Sequence, residues 1–282
     1  MLTKEGTYVR TTALDRIVDT FLSSVDGPKQ IVSLGAGSDT RYFRLKRDKK
    51  HKNFHYHELD FEGNNETKIS RLKAPQCLDV IRALCEIDLG TAETNESELQ
   101  TDEYFIHPID LRKLPEKLDW LDSSAPTLLI SECCLIYLSP EEADSVLSYF
   151  SSLLAQVPMA IAIYEPFRPS DPFGQTMIRN LMTRGIVLQT IEKYADLHSQ
   201  QQRLIDRDFT AKAADTEFIW SNWIADSEKE RIDKLEWMDE VEEFVLLARH
   251  YCIAWAWRNY HDETVWQALP SLAQEIEHHL RA

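Results

Sequence analysis

Along the first 166 residues, apolar positions switch between a helical spacing and short continuous runs. Residues 11–24 carry Ala13, Ile17, Val18, Phe21 and Leu22 three or four apart, which predicts a helix ended by Gly27-Pro28. The run Ile31-Val32-Ser33-Leu34 predicts a first strand, and it breaks into Gly35-Ala36-Gly37-Ser38. Asp39 is placed to cap the next helix, which carries Phe43 and Leu45. Residues 54–60 read as a second strand ending on Asp60, 72–85 as a helix, and 91–102 as an acidic, polar loop. Residues 104–110 read as a third strand ending on Asp110, with Pro108 favouring an edge position or an early stop. Residues 127–132 form a fourth, more apolar strand ending on Glu132, as expected where helices cover both faces of a sheet. Ser139-Pro140-Glu141-Glu142 combines an N-cap serine, a proline at the first helical position and a glutamate in capping-box position. The helix that follows presents Ala143, Val146, Leu147, Phe150 and Leu154, and a fifth strand over 159–164 is stopped by Glu165-Pro166.

Beyond residue 170 the pattern changes. Helices are predicted over 172–182 and 195–205, a short strand over 207–211, long helical stretches over 215–249, and a last apolar strand over 250–257. A glutamate-rich helical tail runs to Ala282. Strands alternating with helices imply a doubly wound α/β fold. Its mostly parallel sheet is joined by right-handed crossovers, and ligands bind at the strands' carboxyl ends.

Composition narrows the function classes. No apolar run approaches the ~20 residues that span a bilayer, and the N-terminus lacks a signal peptide's apolar stretch. Five cysteines, two of them adjacent, give neither a disulfide framework nor metal-ligand spacing, so a reduced cytoplasmic setting and no metal are expected. A net charge of −16 opposes nucleic-acid binding. The one basic run, from Arg41 to Lys52, reads as a solvated helix end or, failing that, a docking patch for an acidic partner.

Each of the first four strands ends on chemistry: Gly35 and Gly37, then Asp60, Asp110 and Glu132. Three acids around a glycine turn suit a phosphate-rich ligand poorly, and no phosphate-binding lysine follows the loop. A dinucleotide fingerprint would need a third glycine where this chain has Thr40. S-adenosyl-L-methionine fits better, because it lacks phosphate, is cationic at sulfur and nitrogen, and offers ribose hydroxyls and an adenine amine as donors. Asp60 and Asp110 could instead cap helices; Glu132, after four apolar strand residues, is costly to bury without a partner.

The stretches Leu34-Gly35-Ala36-Gly37-Ser38-Asp39-Thr40, Glu58-Leu59-Asp60-Phe61, Asp110-Leu111, Leu129-Ile130-Ser131-Glu132-Cys133 and Tyr137-Leu138-Ser139-Pro140-Glu141 resemble the leucine carboxyl methyltransferases. So do Tyr164-Glu165, Asp171-Pro172-Phe173-Gly174-Gln175 and Arg249-His250-Tyr251-Cys252. The resemblance runs from about Glu5 to Trp257 and implies a seven-stranded sheet of the class I S-adenosyl-L-methionine-dependent methyltransferase type with a helical insertion. It also implies esterification of the C-terminal leucine carboxylate on the catalytic subunit of type 2A protein phosphatases. By the same resemblance Gly35 is the cofactor-loop glycine, Asp60 the ribose acid, Asp110 with Leu111 the adenine-side pair, and Glu132 the fourth-strand acid. Arg10 is the arginine that reaches the cofactor's carboxylate end. Family members usually carry a further segment, with a lysine near the cofactor, ahead of Gly6-Thr7-Tyr8-Val9-Arg10; this chain begins almost at that stretch.

One domain is expected over 1–282, with a cofactor-binding part at 1–166, a mainly helical substrate-side insertion at 167–250, and the last strand and tail at 251–282. Trp220, Trp223 and Trp237 are expected to cover the substrate, and Tyr137 to orient the acceptor carboxylate. A monomer acting on the phosphatase catalytic subunit is expected, without nucleic acid or membrane. Two alternatives stay open: a related methyltransferase on a small carboxylic acid or modified tRNA base, and a cofactor-binding form with little turnover.

Overall fold

A computed structural model describes residues 4–114, 118–235 and 241–272. Its centre is a nine-stranded sheet made of β1 (Lys29–Leu34), β2 (Phe54–Asp60), β3 (Glu93–Thr94), β4 (Leu99–Gln100), β5 (Tyr104–Pro108), β6 (Thr127–Glu132), β7 (Met159–Pro166), β8 (Thr210–Asp215) and β9 (Tyr251–Arg258). The order is β3-β4-β5-β2-β1-β6-β7-β9-β8. The five strands β5, β2, β1, β6 and β7 are parallel, while β9 runs antiparallel to both β7 and β8.

Eleven helices among the described residues flank the sheet: α1 (Lys4–Ser24), α2 (Arg41–Asp48), α3 (Glu62–Leu72), α4 (Pro75–Cys85), α5 (Pro140–Leu153), α6 (Pro172–Met182), α7 (Leu197–Ile205), α8 (Thr216–Trp223), α9 (Asp226–Leu235), α10 (Val241–Ala248) and α11 (Thr264–Gln267). Because strand side chains alternate between faces, β1 sends Ile31 to one core and Val32 and Leu34 to the other. The first core gathers Val9, Leu14, Ile17 and Phe21 of α1; the second gathers Ala143, Val146, Leu147 and Phe150 of α5. The alternation of helical and strand patterns therefore reports two cores, one on each side of the sheet.

Several boundaries differ from the sequence reading, each for a local reason. The stretch 91–102 is not all loop: Asn95 Oδ1 accepts from the N–H groups of Ser97 and Glu98, which folds β3 back on β4 and brings the sheet to nine strands rather than seven. Leu99, fully buried, anchors that hairpin. The single helix expected over 72–85 is the end of α3 followed by α4, whose first residue is Pro75. The third strand stops at Pro108, and β4 pairs only as far as Ile106, so no partner is needed for the missing proline N–H. Glu165-Pro166 does not stop β7, since both pair with β9, opposite Cys252 and Tyr251. The strand expected over 207–211 is β8, displaced toward Asp215. The predicted capping box forms: Glu142 N–H donates to Ser139 Oγ and Ser139 N–H to Glu142 Oε2. The glutamate-rich tail and Trp237 lie outside the described residues. Among those described, no helix is long and apolar enough to cross a membrane.

Candidate active site at the carboxyl ends of the strands

A cavity of about 440 Å³ opens at the carboxyl ends of β1, β2 and β6 and the stretch after β5. Gly35 and Gly37 form its floor, both with positive φ (59° and 51°). A Cβ on Gly35 would lie 2.6 Å from Cys134 Sγ, so the absence of a side chain there is a packing requirement as well as a backbone one. On Gly37 a Cβ would meet no atom nearer than 4.0 Å, so that side of the turn is open.

Asp60 clasps this turn. Its Oδ2 accepts from Gly37 N–H at 2.7 Å, and its Oδ1 accepts from Phe61 N–H and Asn64 Nδ2, both at 2.7 Å. A carboxylate has about four lone-pair sites, so these three bonds leave one for a ligand hydroxyl. Asp110 does what the capping alternative foresaw: it begins a 3₁₀ turn over Leu111–Lys113 and accepts from Arg112 N–H. The Arg112 side chain grips the same carboxylate at 2.8 and 2.7 Å and holds its pKa down to about 2. Asp110 still lines the cavity, with Leu111, Ile109 and Phe61 as apolar wall.

The far wall comes from the turn after β6. Cys133 sits in the left-handed region (φ 50°), which swings Cys134 against Gly35. A 3₁₀ turn then places Tyr137 at the rim, 44% exposed, just before the capped start of α5. Burial pushes the Cys133 thiol up to about 12, raises Cys134 further, and raises the Tyr137 hydroxyl. These groups keep their protons at neutral pH.

Six of the eight sequence-derived residues thus meet in one cavity: Gly35, Gly37, Asp60, Asp110, Leu111 and Tyr137. Arg10 and Glu132 are not among its lining groups; they pair with each other at 2.8 Å, one residue from Cys133. Sequence reasoning missed Asn64, Arg112, Cys134 and Arg41. Arg41 was grouped with the basic run, yet it is 2% exposed and bonded to three acids. The available signal was its place in the first turn of α2, where the helix dipole disfavours a cation unless acids hold it. Five more cations of that run are paired within the chain: Arg44 with Asp15, Lys46 with Glu103, Arg47 with Asp48, Lys49 with Glu86 and Lys50 with Asp19. Trp220 and Trp223 pack edge-on against Phe244 and Trp255, on the α1 side of the sheet and away from the cavity.

The cavity suits an adenosyl ligand without phosphates: its walls are mostly apolar, no lysine lines it, and its one arginine is committed to Asp110. Comparison with known proteins is decisive. The family model for leucine carboxyl methyltransferase matches residues 2–151. Leucine carboxyl methyltransferase 1 of Aspergillus fumigatus is 45% identical over 286 residues, covering 89% of this chain and 71% of that protein.

The chain belongs to the leucine carboxyl methyltransferase family.

The Schizosaccharomyces pombe member is 38% identical over 89% of this chain and 80% of its own length, and the Arabidopsis thaliana homologue 33% over 89% and 76%. As a leucine carboxyl methyltransferase, the chain is an S-adenosyl-L-methionine-dependent carboxyl methyltransferase. Solved structures confirm the fold alone. Geranyl diphosphate C-methyltransferase from Streptomyces coelicolor superposes with a TM-score of 0.50 at 10% identity, over 89% of this chain and 80% of that one. The CurJ carbon methyltransferase gives 0.50 at 10% identity, over 87% and 53%. Both share the sheet architecture described above.

Proposed function

We propose that this leucine carboxyl methyltransferase esterifies the C-terminal leucine carboxylate of the catalytic subunit of type 2A protein phosphatases, with the cavity beside Gly35 and Asp60 as the cofactor site. The observation that carries this reading is the Asp60 clasp on the glycine turn, facing an apolar pocket whose rim is a half-exposed tyrosine. Asp60 keeps an acceptor for the ribose hydroxyls, and Asp110 with Leu111 borders the adenine side. Gly35 and Gly37 let the ligand approach the backbone. Arg10 and Glu132, an opposite-charge pair, match the carboxylate and ammonium of the cofactor's amino-acid part. We assign α6 and the turns after it, where Gln189 Nε2 donates to the Tyr137 carbonyl at the rim, to the acceptor side.

When bound, S-adenosyl-L-methionine supplies a methyl group on a sulfonium leaving group. The chain's own residues have modest tasks, because the acceptor carboxylate is already ionised at neutral pH and needs no base. They hold it in line and strip water from the nucleophile. Tyr137, whose hydroxyl keeps its proton, donates a hydrogen bond that orients the acceptor. Cys133 and Cys134 line the same cavity, and burial keeps both as neutral thiols, which prevents them from competing for the methyl group.

All five cysteines are free thiols, which suits the cytoplasm we assign, and a single chain contains every residue invoked. Calorimetry tests the pocket: S-adenosyl-L-methionine and its demethylated product bind, and NAD does not. NAD binding of comparable strength would overturn the assignment.

A further inference from the structure

Glu132 has two cationic partners, and they differ. Arg10 Nε lies 2.8 Å from Glu132 Oε1, yet that N–H makes no aligned hydrogen bond, and the arginine side chain is one-quarter exposed. Arg41 is 3% exposed in its side chain and donates in three directions: Nε to Asp15 Oδ1 at 2.9 Å, Nη1 to Asp39 Oδ2 at 2.6 Å, and Nη2 to Glu132 Oε2 at 3.3 Å. These acids come from α1, from the turn that follows Gly37, and from the end of β6. Only a planar guanidinium supplies donors in such fixed, divergent directions.

We propose that Arg41 is a positioning residue for methyl-donor binding. It holds Glu132 aimed and charge-compensated from the protein side, so that Arg10 can leave Glu132 and meet the ligand's carboxylate. The proposal rests on the reading that Glu132 and Arg10 face the amino-acid part of the donor. Without Arg41 that reading contains a conflict, because the arginine required by the ligand would be the sole partner of the acid required by the ligand. The loosely aligned pair is the exchangeable one, and the buried three-way contact is the fixed one. The other two acids have further support: Asp15 pairs with Arg44, and Asp39 accepts from Tyr56 O–H at 3.1 Å and from Arg41 N–H at 2.9 Å. With Arg10 turned to the ligand, Arg41 is the remaining cationic partner of Glu132 among the pairs shown, so removing its guanidinium bears on Glu132 when the ligand is bound.

The test compares two ligands on the full chain: S-adenosyl-L-homocysteine, which has the amino-acid part, and 5′-methylthioadenosine, which lacks it. Arg41→Gln should weaken the first by about tenfold or more and the second by less than about threefold, since only the first uses the held carboxylate. Arg41→Lys, which keeps the charge without the fork, should show a smaller loss of the same selectivity and serves if the glutamine variant does not fold. Equal losses for both ligands, or no loss for either, would leave the ratio unchanged and overturn the proposal, equal losses showing a structural role alone. Glu132→Gln is measured in parallel and should lose the same selectivity. If it does not, the placement of the amino-acid part fails, which is distinct from failure at Arg41 alone.

Discussion

The two ends of the sheet carry two cavities, and the larger is not the one with the chemistry. At the amino ends, beside Asn53 and Glu103, lies an open groove of about 940 Å³ whose charged lining is largely spent. Lys46 pairs with Glu103 and Lys49 with Glu86 within its lining, and His51 hydrogen-bonds Asp19 of α1. The exposed Lys49–Glu86 pair is screened and worth little. At the carboxyl ends the cavity has less than half that volume, but it is built from groups with capacity left: an Asp60 lone pair, an open glycine turn and a rim tyrosine. What distinguishes a ligand site from a surface depression is unspent, pre-positioned polarity against an apolar wall, not size.

The sharpest way to break this comparison is Gly35→Ala. A Cβ would sit 2.6 Å from Cys134 Sγ at a φ of +59°, so the variant should lose about 1–3 kcal/mol of stability and most of its cofactor affinity. Thermal melts and calorimetry read both, and wild-type binding by the variant would show that the turn is not the floor of the site. Asp60→Ala comes next. Losing a charge-assisted bond to the ligand should weaken cofactor binding by roughly 1–3 kcal/mol. Unchanged affinity in a folded variant would move the ribose contact elsewhere.

A third prediction concerns the wall between the ends. His57 and His107 are hydrogen-bonded at 3.1 Å and stacked with Phe105 and Trp120. Burial drives His57 down to about 2, with His107 adding to the effect, and burial drives His107 down to about 4, from an ordinary 6.5. The unfolded chain therefore binds more protons between these values, and stability is fully present above about pH 6.5 and lost as pH falls below it. The slope should reach about 1.4 kcal/mol per pH unit for each ring. Glu58, raised to about 7 by burial beside Lys68, works in the opposite direction between 4.5 and 7. Denaturant midpoints across pH 4–8 should therefore be compared with those of a His57→Phe/His107→Phe double variant, which should lack the histidine part of the slope. The smallest effect is expected at the amino end: Lys49→Ala should leave cofactor affinity unchanged within about twofold, because an exposed pair contributes under ~1 kcal/mol. A large change there would erase the contrast between the two ends.

The middle of the parallel core was readable because β1 and β6 are short apolar runs that give way to glycine or an acid. The capping box at Ser139 was readable because three residues within four positions, Ser139, Pro140 and Glu142, specify it. What stayed hidden depends on partners far apart in the chain. Nothing near Glu165-Pro166 announces that β9, almost ninety residues later, will pair with it and extend β7. Asn95 folds a hairpin inside a stretch whose polarity reads as loop. Asp60 and Asp110 look alike along the chain, yet one clasps the glycine turn and the other is gripped by its own Arg112. Arg41 appeared as one cation of a basic run, and only the convergence of α1, the glycine loop and β6 shows it to be buried.

The central claim is that the cavity at the carboxyl ends delivers a methyl group to a free leucine terminus, and methyl transfer with radiolabelled S-adenosyl-L-methionine tests it most directly. The acceptors are intact type 2A phosphatase catalytic subunit and the same subunit lacking its terminal leucine. Base-labile label on the intact subunit alone is the predicted result. Label on the leucine-deleted subunit, or none on the intact one, would contradict it.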